Sequence, residues 1–212
     1  MSKQTVTALR HLSTAIVGAT FLFAASPGNA QDALSFSSAL EKAIQKASER
    51  FEVPLSTLRA FAAIESGGNA RARKGSYHGV YQLSQKAFRE NGGRGDIFDV
   101  GQNTAAAARK LRSEQDAFNR KYRRKPNATE LYMIHQQGVG GAAKHLANPD
   151  APAWQNMHQT GEGQKKGEKW ARLAIWGNVP RDQRDRFPGG VDSVTSKEFM
   201  DMWARKMAKF GG

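Results

Sequence analysis

Leu55-Ser56-Thr57-Leu58-Arg59-Ala60-Phe61-Ala62-Ala63-Ile64-Glu65-Ser66-Gly67-Gly68-Asn69 reads as an apolar helix that ends on a carboxylate. Pro54 opens it, and Leu55, Leu58, Phe61, Ala62 and Ile64 give it a broad apolar face. Gly67-Gly68-Asn69 is its expected C-cap. Glu65 therefore stands where an apolar helix meets loop-forming sequence. Burial disfavours the charged form of a carboxylate. A Glu held partly buried at a cleft wall can deliver a proton near neutral pH. Taken alone, the same residue reads more readily as an exposed helix-terminal Glu.

Further helices are expected on both sides. Ser38-Ala39-Leu40-Glu41 has the form of a capping box, and Leu40, Ala43, Ile44, Ala47 and Phe51 recur at helical spacing over 38–51. Residues 70–80 lack periodicity and read as a loop, with Tyr81-Gln82-Leu83 short and extended or irregular. Ser84 caps a short helix carrying Ala87 and Phe88, and 91–96 form a Gly-rich loop. Asn103 to Phe118 is an Ala-rich helix. Ala128 to Gln137 is another, interrupted by Gly138, Gly140 and Gly141 and resumed from Ala142 to Leu146. Residues 148–169 are rich in Pro, Gly, Lys and Gln and read as a mobile connection. Thr195-x-x-Glu198 starts a last helix with Phe199, Met202, Trp203 and Met207 at helical spacing, a stripe that reads as core. The fold class is mainly α, with little or no sheet.

The N-terminus reads as a secretory signal over 1–30. Lys3, Arg10 and His11 precede a 12-residue apolar run, Thr14 to Ala25, too short to span a bilayer. Gly28-Asn29-Ala30 is the expected cleavage site, and no later stretch is apolar enough to cross a membrane. The expected location is periplasmic or secreted, with no transmembrane segment after cleavage. The 212 residues carry a net charge of +13. Residues 1–30 hold two positive charges and no negative ones, which leaves +11. Such a surface attracts polyanions: nucleic acid, anionic lipid, or a wall bearing peptide carboxylates. Export argues against nucleic acid. There is no Cys, which excludes a Cys nucleophile and Cys-based zinc sites. The five His show no H-E-x-x-H spacing, so neither a metal nor a cofactor is expected.

Three segments in order then carry a family resemblance. They are Ile64-Glu65-Ser66-Gly67, Gly79-Val80-Tyr81-Gln82-Leu83-Ser84, and Asp99 to Ala108 (DVGQNTAAAA) followed by Leu111. Together they resemble the soluble lytic transglycosylase (SLT) family, which shares a core with goose-type lysozyme. The resemblance covers about 38–147. It implies a lysozyme-like α-helical catalytic domain over 31–147, with a linker and short helical C-terminal extension over 148–212. One segment departs from the pattern. The family has Ala-Tyr-Asn-x-Gly on a later helix, and this chain has Ile134-His135-Gln136-Gln137-Gly138. His135 stands at the Tyr position, and Tyr132 lies one turn earlier.

The resemblance implies cleavage of the MurNAc–GlcNAc bond of peptidoglycan glycan strands, with Glu65 as the single acid and base. The substrate's acetamido group would stabilise the cationic centre, and ring closure by the muramic O6 hydroxyl would leave a 1,6-anhydro end. A retaining glycosidase normally needs two close carboxylates. Asp96 and Asp99 are the nearest to Glu65, both beyond a loop. Ser66 and Gln82 would orient Glu65 or bind the acetamido group. Gly79 would admit the glycan close to the backbone, or be a plain loop glycine. Tyr81 would stack on a sugar face, or be a core aromatic. Tyr132, His135 and Gln136 complete the candidate substrate-binding set. Arg71, Arg73 and Lys74 meet stem-peptide carboxylates or are simply solvated. Two other readings stand beside this one: a hydrolytic muramidase, and a noncatalytic wall-binding or assembly factor of a cell-envelope machine. A monomer is expected.

Overall fold

The computed structural model describes residues 35–212, so the segment read as a signal lies outside the described residues. In chain order come α1 Ser38–Phe51, α2 Leu55–Ser66, β1 Arg73–Lys74, β2 Tyr77–His78, β3 Leu83–Ser84 and α3 Gln85–Glu90. α4 Val100–Tyr122 and α5 Ala128–Ala147 follow, then α6 Ala153–His158, α7 Gly161–Lys166 and α8 Glu168–Trp176. Two 3-10 helices, Arg181–Arg186 and Gly190–Ser193, lead to α9 Ser196–Lys209. The chain is mainly α, as expected.

The quoted helix is the centre of the packing. Leu58, Ala60, Phe61, Ala62, Ala63, Ile64 and Glu65 are all buried, so α2 is covered almost all round. Small alanines let its neighbours approach closely. α1 crosses it and also packs on α4, α4 packs on α5, and α9 packs on both α5 and α2. The start of α1 differs from the expected box. Ser37 is the N-cap, accepting from the Leu40 N–H at 3.3 Å. Glu41 is ion-paired with Arg59 on α2 instead.

Residues 70–84 are not simply a loop. β1, β2 and β3 form a three-stranded antiparallel sheet, with Arg73 opposite His78 and His78 opposite Leu83. Strands of two residues are too short to show a period-2 pattern, which is why the sequence hid them. The interruption of α5 falls where the glycines placed it. Gly138 has φ 69 and ψ 166, a conformation costly for other residues, and the helix kinks there.

The expected mobile connection is replaced by packed structure. α6 and α7 occupy most of 148–169, and Trp154 and Met157 are buried there. Nor is the tail an appendage. Phe199, Met202, Trp203 and Met207 of α9 join the same apolar cluster as Phe61 and Ile64 of α2. The Thr195–Glu198 capping box forms as read, with the Thr195 N–H donating to Glu198 at 3.0 Å.

His145 ties α5 to α9 and makes folding sensitive to acid. Its Nδ1 lies 2.6 Å from Ser196 Oγ, and the side chain is fully buried. Burial pushes the imidazole down from 6.5 to about 4. Between those values the unfolded chain binds a proton that the folded chain excludes. The stabilising effect of the neutral ring is therefore full above about 6.5 and lost as pH falls through about 4. The loss should reach about 3 kcal/mol. Urea unfolding of the wild type and of His145→Asn at neutral pH and at pH values approaching 4 checks it. The wild type should lose more stability than the variant across that range, and parallel losses would refute the assignment.

Candidate active site

Glu65 closes α2 in its last turn, 6% exposed, just before Gly67 caps the helix through its N–H on the Ala62 and Ala63 carbonyls. The kinked helix α5 brings Tyr132 to it. The Tyr132 hydroxyl donates to Glu65 Oε1 at 2.9 Å, and Gln136 Nε2 donates to the same hydroxyl at 3.2 Å. Burial, reinforced by the charge of Glu65, pushes the Tyr132 phenol well above its ordinary range. Tyr132 is therefore a fixed donor at any physiological pH. Its ring is clamped between Phe61, edge-on with centroids 4.9 Å apart, and Trp203 of α9, also at 4.9 Å.

Two ammonium groups feel the charge of Glu65. Burial lowers both Lys74, from β1, and Lys206, from α9, while the charge of Glu65 pulls each back up. Lys206 Nζ also lies 5.0 Å from the Trp203 ring centroid. Trp203 and Lys206 were not among the sequence candidates. The signal was a Trp and Met stripe at helical spacing, which shows that a helix packs but not against what.

The 79–84 segment is held as one rigid edge of this site. Asn103 of α4 is its anchor: Oδ1 accepts from the Tyr81 N–H at 2.9 Å, and Nδ2 donates to the carbonyls of Ile97 at 2.9 Å and His78 at 3.3 Å. Gly79, at φ 78, lies so close to the Asn103 amide that any Cβ would collide with it. That contact requires a glycine here. Gln82 sits in the left-handed region at φ 45, costly for a residue with a side chain. Its Nε2 donates to Gly79 O at 2.8 Å and Ala72 O at 3.2 Å, which fixes the turn.

Several sequence expectations are corrected here. Tyr81 does not offer its ring to a sugar: it is 1% exposed and its hydroxyl donates to Leu58 O at 3.2 Å. Ser66 does not orient Glu65; its Oγ donates to Val80 O at 2.7 Å and so ties the end of α2 to the 79–84 edge. His135 turns away from Glu65 towards α4, with Nδ1 3.2 Å from Lys110 Nζ and 3.9 Å from Glu114. Burial alone would raise the Glu114 carboxyl, but Lys110 and His135 hold it below its ordinary value. Residues three apart share a helix face roughly, not fully. Tyr132 takes the side facing α2 and leaves His135 to α4. Tyr132, Gln136 and Glu65 are brought together as expected.

A family model for the transglycosylase SLT domain matches residues 42–147, half of the chain. The chain belongs to the transglycosylase SLT family. No curated protein matches it. Membership implies peptidoglycan-degrading activity of the lytic transglycosylase type, with peptidoglycan as substrate. The matched SLT segment contains Glu65, Gln82, Asn103 and Tyr132, while Trp203 and Lys206 lie beyond it. Among the described residues, no helix is long and apolar enough to cross a membrane, and no group of three His, Asp or Glu is placed to hold a metal ion.

Tyr132→Phe removes one hydrogen bond to a carboxyl and keeps the ring between Phe61 and Trp203. Hydrogen bonds to charged groups are worth about 1.5–3 kcal/mol. The turnover rate on purified glycan strands should fall roughly 10- to 100-fold with KM little changed. A rate within about twofold of wild type would remove Tyr132 from the site.

Proposed function

We propose that this SLT chain is a lytic transglycosylase in which Glu65 alone serves as acid and then as base. The observation that supports it most is the company Glu65 keeps. A buried phenol donates to it and is itself held by Gln136, and no second carboxylate hydrogen-bonds to it or to Tyr132 among the described residues. A double displacement needs a second carboxylate about 5–5.5 Å away, and in this reading Glu65 acts without one.

In the proposed sequence the Glu65 carboxyl gives its proton to the oxygen linking C1 of N-acetylmuramic acid to N-acetylglucosamine. The C1–O bond breaks, and the N-acetylglucosamine 4-hydroxyl leaves. The substrate's own acetamido oxygen supports the positive centre at C1. The Glu65 carboxylate, steadied by the Tyr132 hydroxyl, then takes the proton of the muramic O6 hydroxyl. O6 bonds to C1, the carboxyl is restored, and no water is consumed. Gln136 holds the Tyr132 hydroxyl in place for both steps. In this reading the glycan lies against the 79–84 segment, which Ser66 ties to the end of α2 next to Glu65. The same reading puts the mature chain outside the cytoplasm, in the periplasm or secreted, where its substrate is.

Chromatography of muropeptides released from purified sacculi tests the reaction. Fragments that resist borohydride reduction at their muramic ends support it. Fragments with reducible ends would point to a hydrolytic muramidase on this fold, and no released fragments would point to a wall-binding factor.

A further inference from the structure

A second concave site lies away from Glu65, between the end of α1, the loop after α3 and one stripe of α4. It encloses about 200 Å³ and is lined by Arg50, Phe51, Arg94, Gln102 and Arg109, with no acidic residue in its wall. None of the elements that build it carries Glu65 or Tyr132.

Two of its guanidinium groups share one ring. Arg50 lies 5.2 Å and Arg109 5.5 Å from the Phe51 ring centroid. A cation over an aromatic face gains roughly 0.5–1 kcal/mol at an exposed site, but a second cation brought to the same ring repels the first. Four other arginines relieve their charge on a carboxylate. Arg59, Arg112, Arg124 and Arg172 each pair with a carboxylate. Arg50, Arg94 and Arg109 form no ion pair among the described residues, although Glu49 and Asp96 are chain neighbours of two of them. The walls are also fixed. The Arg94 N–H donates to Gln102 Oε1 at 3.2 Å, which docks the loop on α4. A Cβ added at Gly92 would stand 3.0 Å from Arg109 Nη1, so the loop backbone runs against that guanidinium.

We propose that Arg50, Arg94 and Arg109 form an anion site for a phosphate group. Three separate forks around one cavity suit an anion with at least three acceptor oxygens; a carboxylate offers two, which a single guanidinium satisfies. The phosphate is either a soluble phosphomonoester or the phosphomonoester headgroup of phosphatidic acid. With a headgroup as ligand, this face of the molecule sits on a bilayer surface while the Glu65 groove stays on other elements.

The test uses the mature chain and inorganic phosphate, followed by amide chemical shifts. Phosphate should move the resonances of residues 91–94 and of Arg50 and Arg109, and acetate should not. The double substitution Arg50→Ala/Arg109→Ala should weaken phosphate binding by at least about tenfold. Arg172→Ala, which removes a guanidinium already paired with Glu168 and Asp192, should leave it unchanged. All three side chains in these variants are on the surface, and an unchanged melting temperature shows that the fold is intact. Vesicles containing phosphatidic acid and vesicles of phosphatidylcholine separate the sources. Capture by the former alone, lost in the double variant, identifies a lipid headgroup. No capture with retained phosphate binding identifies a soluble ligand. The site is overturned if the wild type shows no shifts with phosphate, or if Arg172→Ala weakens binding as much as the double variant.

Discussion

Glu65→Gln should abolish release of glycan fragments from sacculi, by about 10³-fold or more, while the protein stays folded. Positioned acid–base catalysis is worth about 10² to 10⁴ in rate. In the proposed reaction one group performs both proton transfers, so the upper part of that range applies. The substitution is close to isosteric. An amide oxygen at the same place still accepts from the Tyr132 hydroxyl, which now stands 2.9 Å from Oε1. The buried polar cluster therefore keeps its main hydrogen bond, and the melting temperature should move little. What disappears is the ability to release and recover a proton. Binding to insoluble sacculi should survive, because Lys74, Lys206 and the 79–84 edge are untouched. A variant that retains activity within about tenfold of wild type would exclude Glu65 as the acid.

The second large effect is on stability, and it reaches the site through α9. Trp203→Ala should cost about 3–5 kcal/mol and lower the melting temperature by on the order of 10 °C. Trp203 is buried against Tyr132, with ring centroids 4.9 Å apart, and meets Phe199 at 6.5 Å. Its indole N–H has no partner among the described residues, so the substitution removes packing and leaves no polar group newly orphaned. The void opens directly behind the Tyr132 ring. Turnover should fall with stability even where the protein remains folded, because the phenol that bonds Glu65 loses its backing. Trp203→Phe should recover most of both. A melting temperature within about 2 °C of wild type for the alanine variant would show that α9 is not part of this core.

The sequence showed the helices well and their mutual placement poorly. α2 was legible because its apolar residues run without a break into Glu65 and stop at glycine. The break in α5 was legible because Gly138 is the residue that tolerates a non-helical conformation there. The sheet of β1 to β3 was not, since two-residue strands have no period. α6 and α7 were not, since Pro152, Gly163 and Gly167 imitate a linker while serving as caps and a close contact. At the site, Glu65 and Tyr132 were named from sequence, but the orientation of His135 was not. A helix position fixes a face only to within the angle between neighbours, and α4 supplied Lys110 and Glu114 as the partners that turned the imidazole away. Of the two readings the sequence left for Tyr81, the structure takes the buried one, while Ser66 bonds Val80 and Gly79 lies against Asn103. Lys206 was invisible because only the fold reveals which helix end reaches the carboxylate.

Whether water enters the reaction decides the central claim most directly. Sacculi digested in heavy-oxygen water and analysed by mass spectrometry should yield muramic ends with no heavy oxygen, each lighter by one water than its hydrolysed counterpart. Muramic ends that carry the heavy label at C1 would contradict a Glu65 that passes its proton between two sugar oxygens alone.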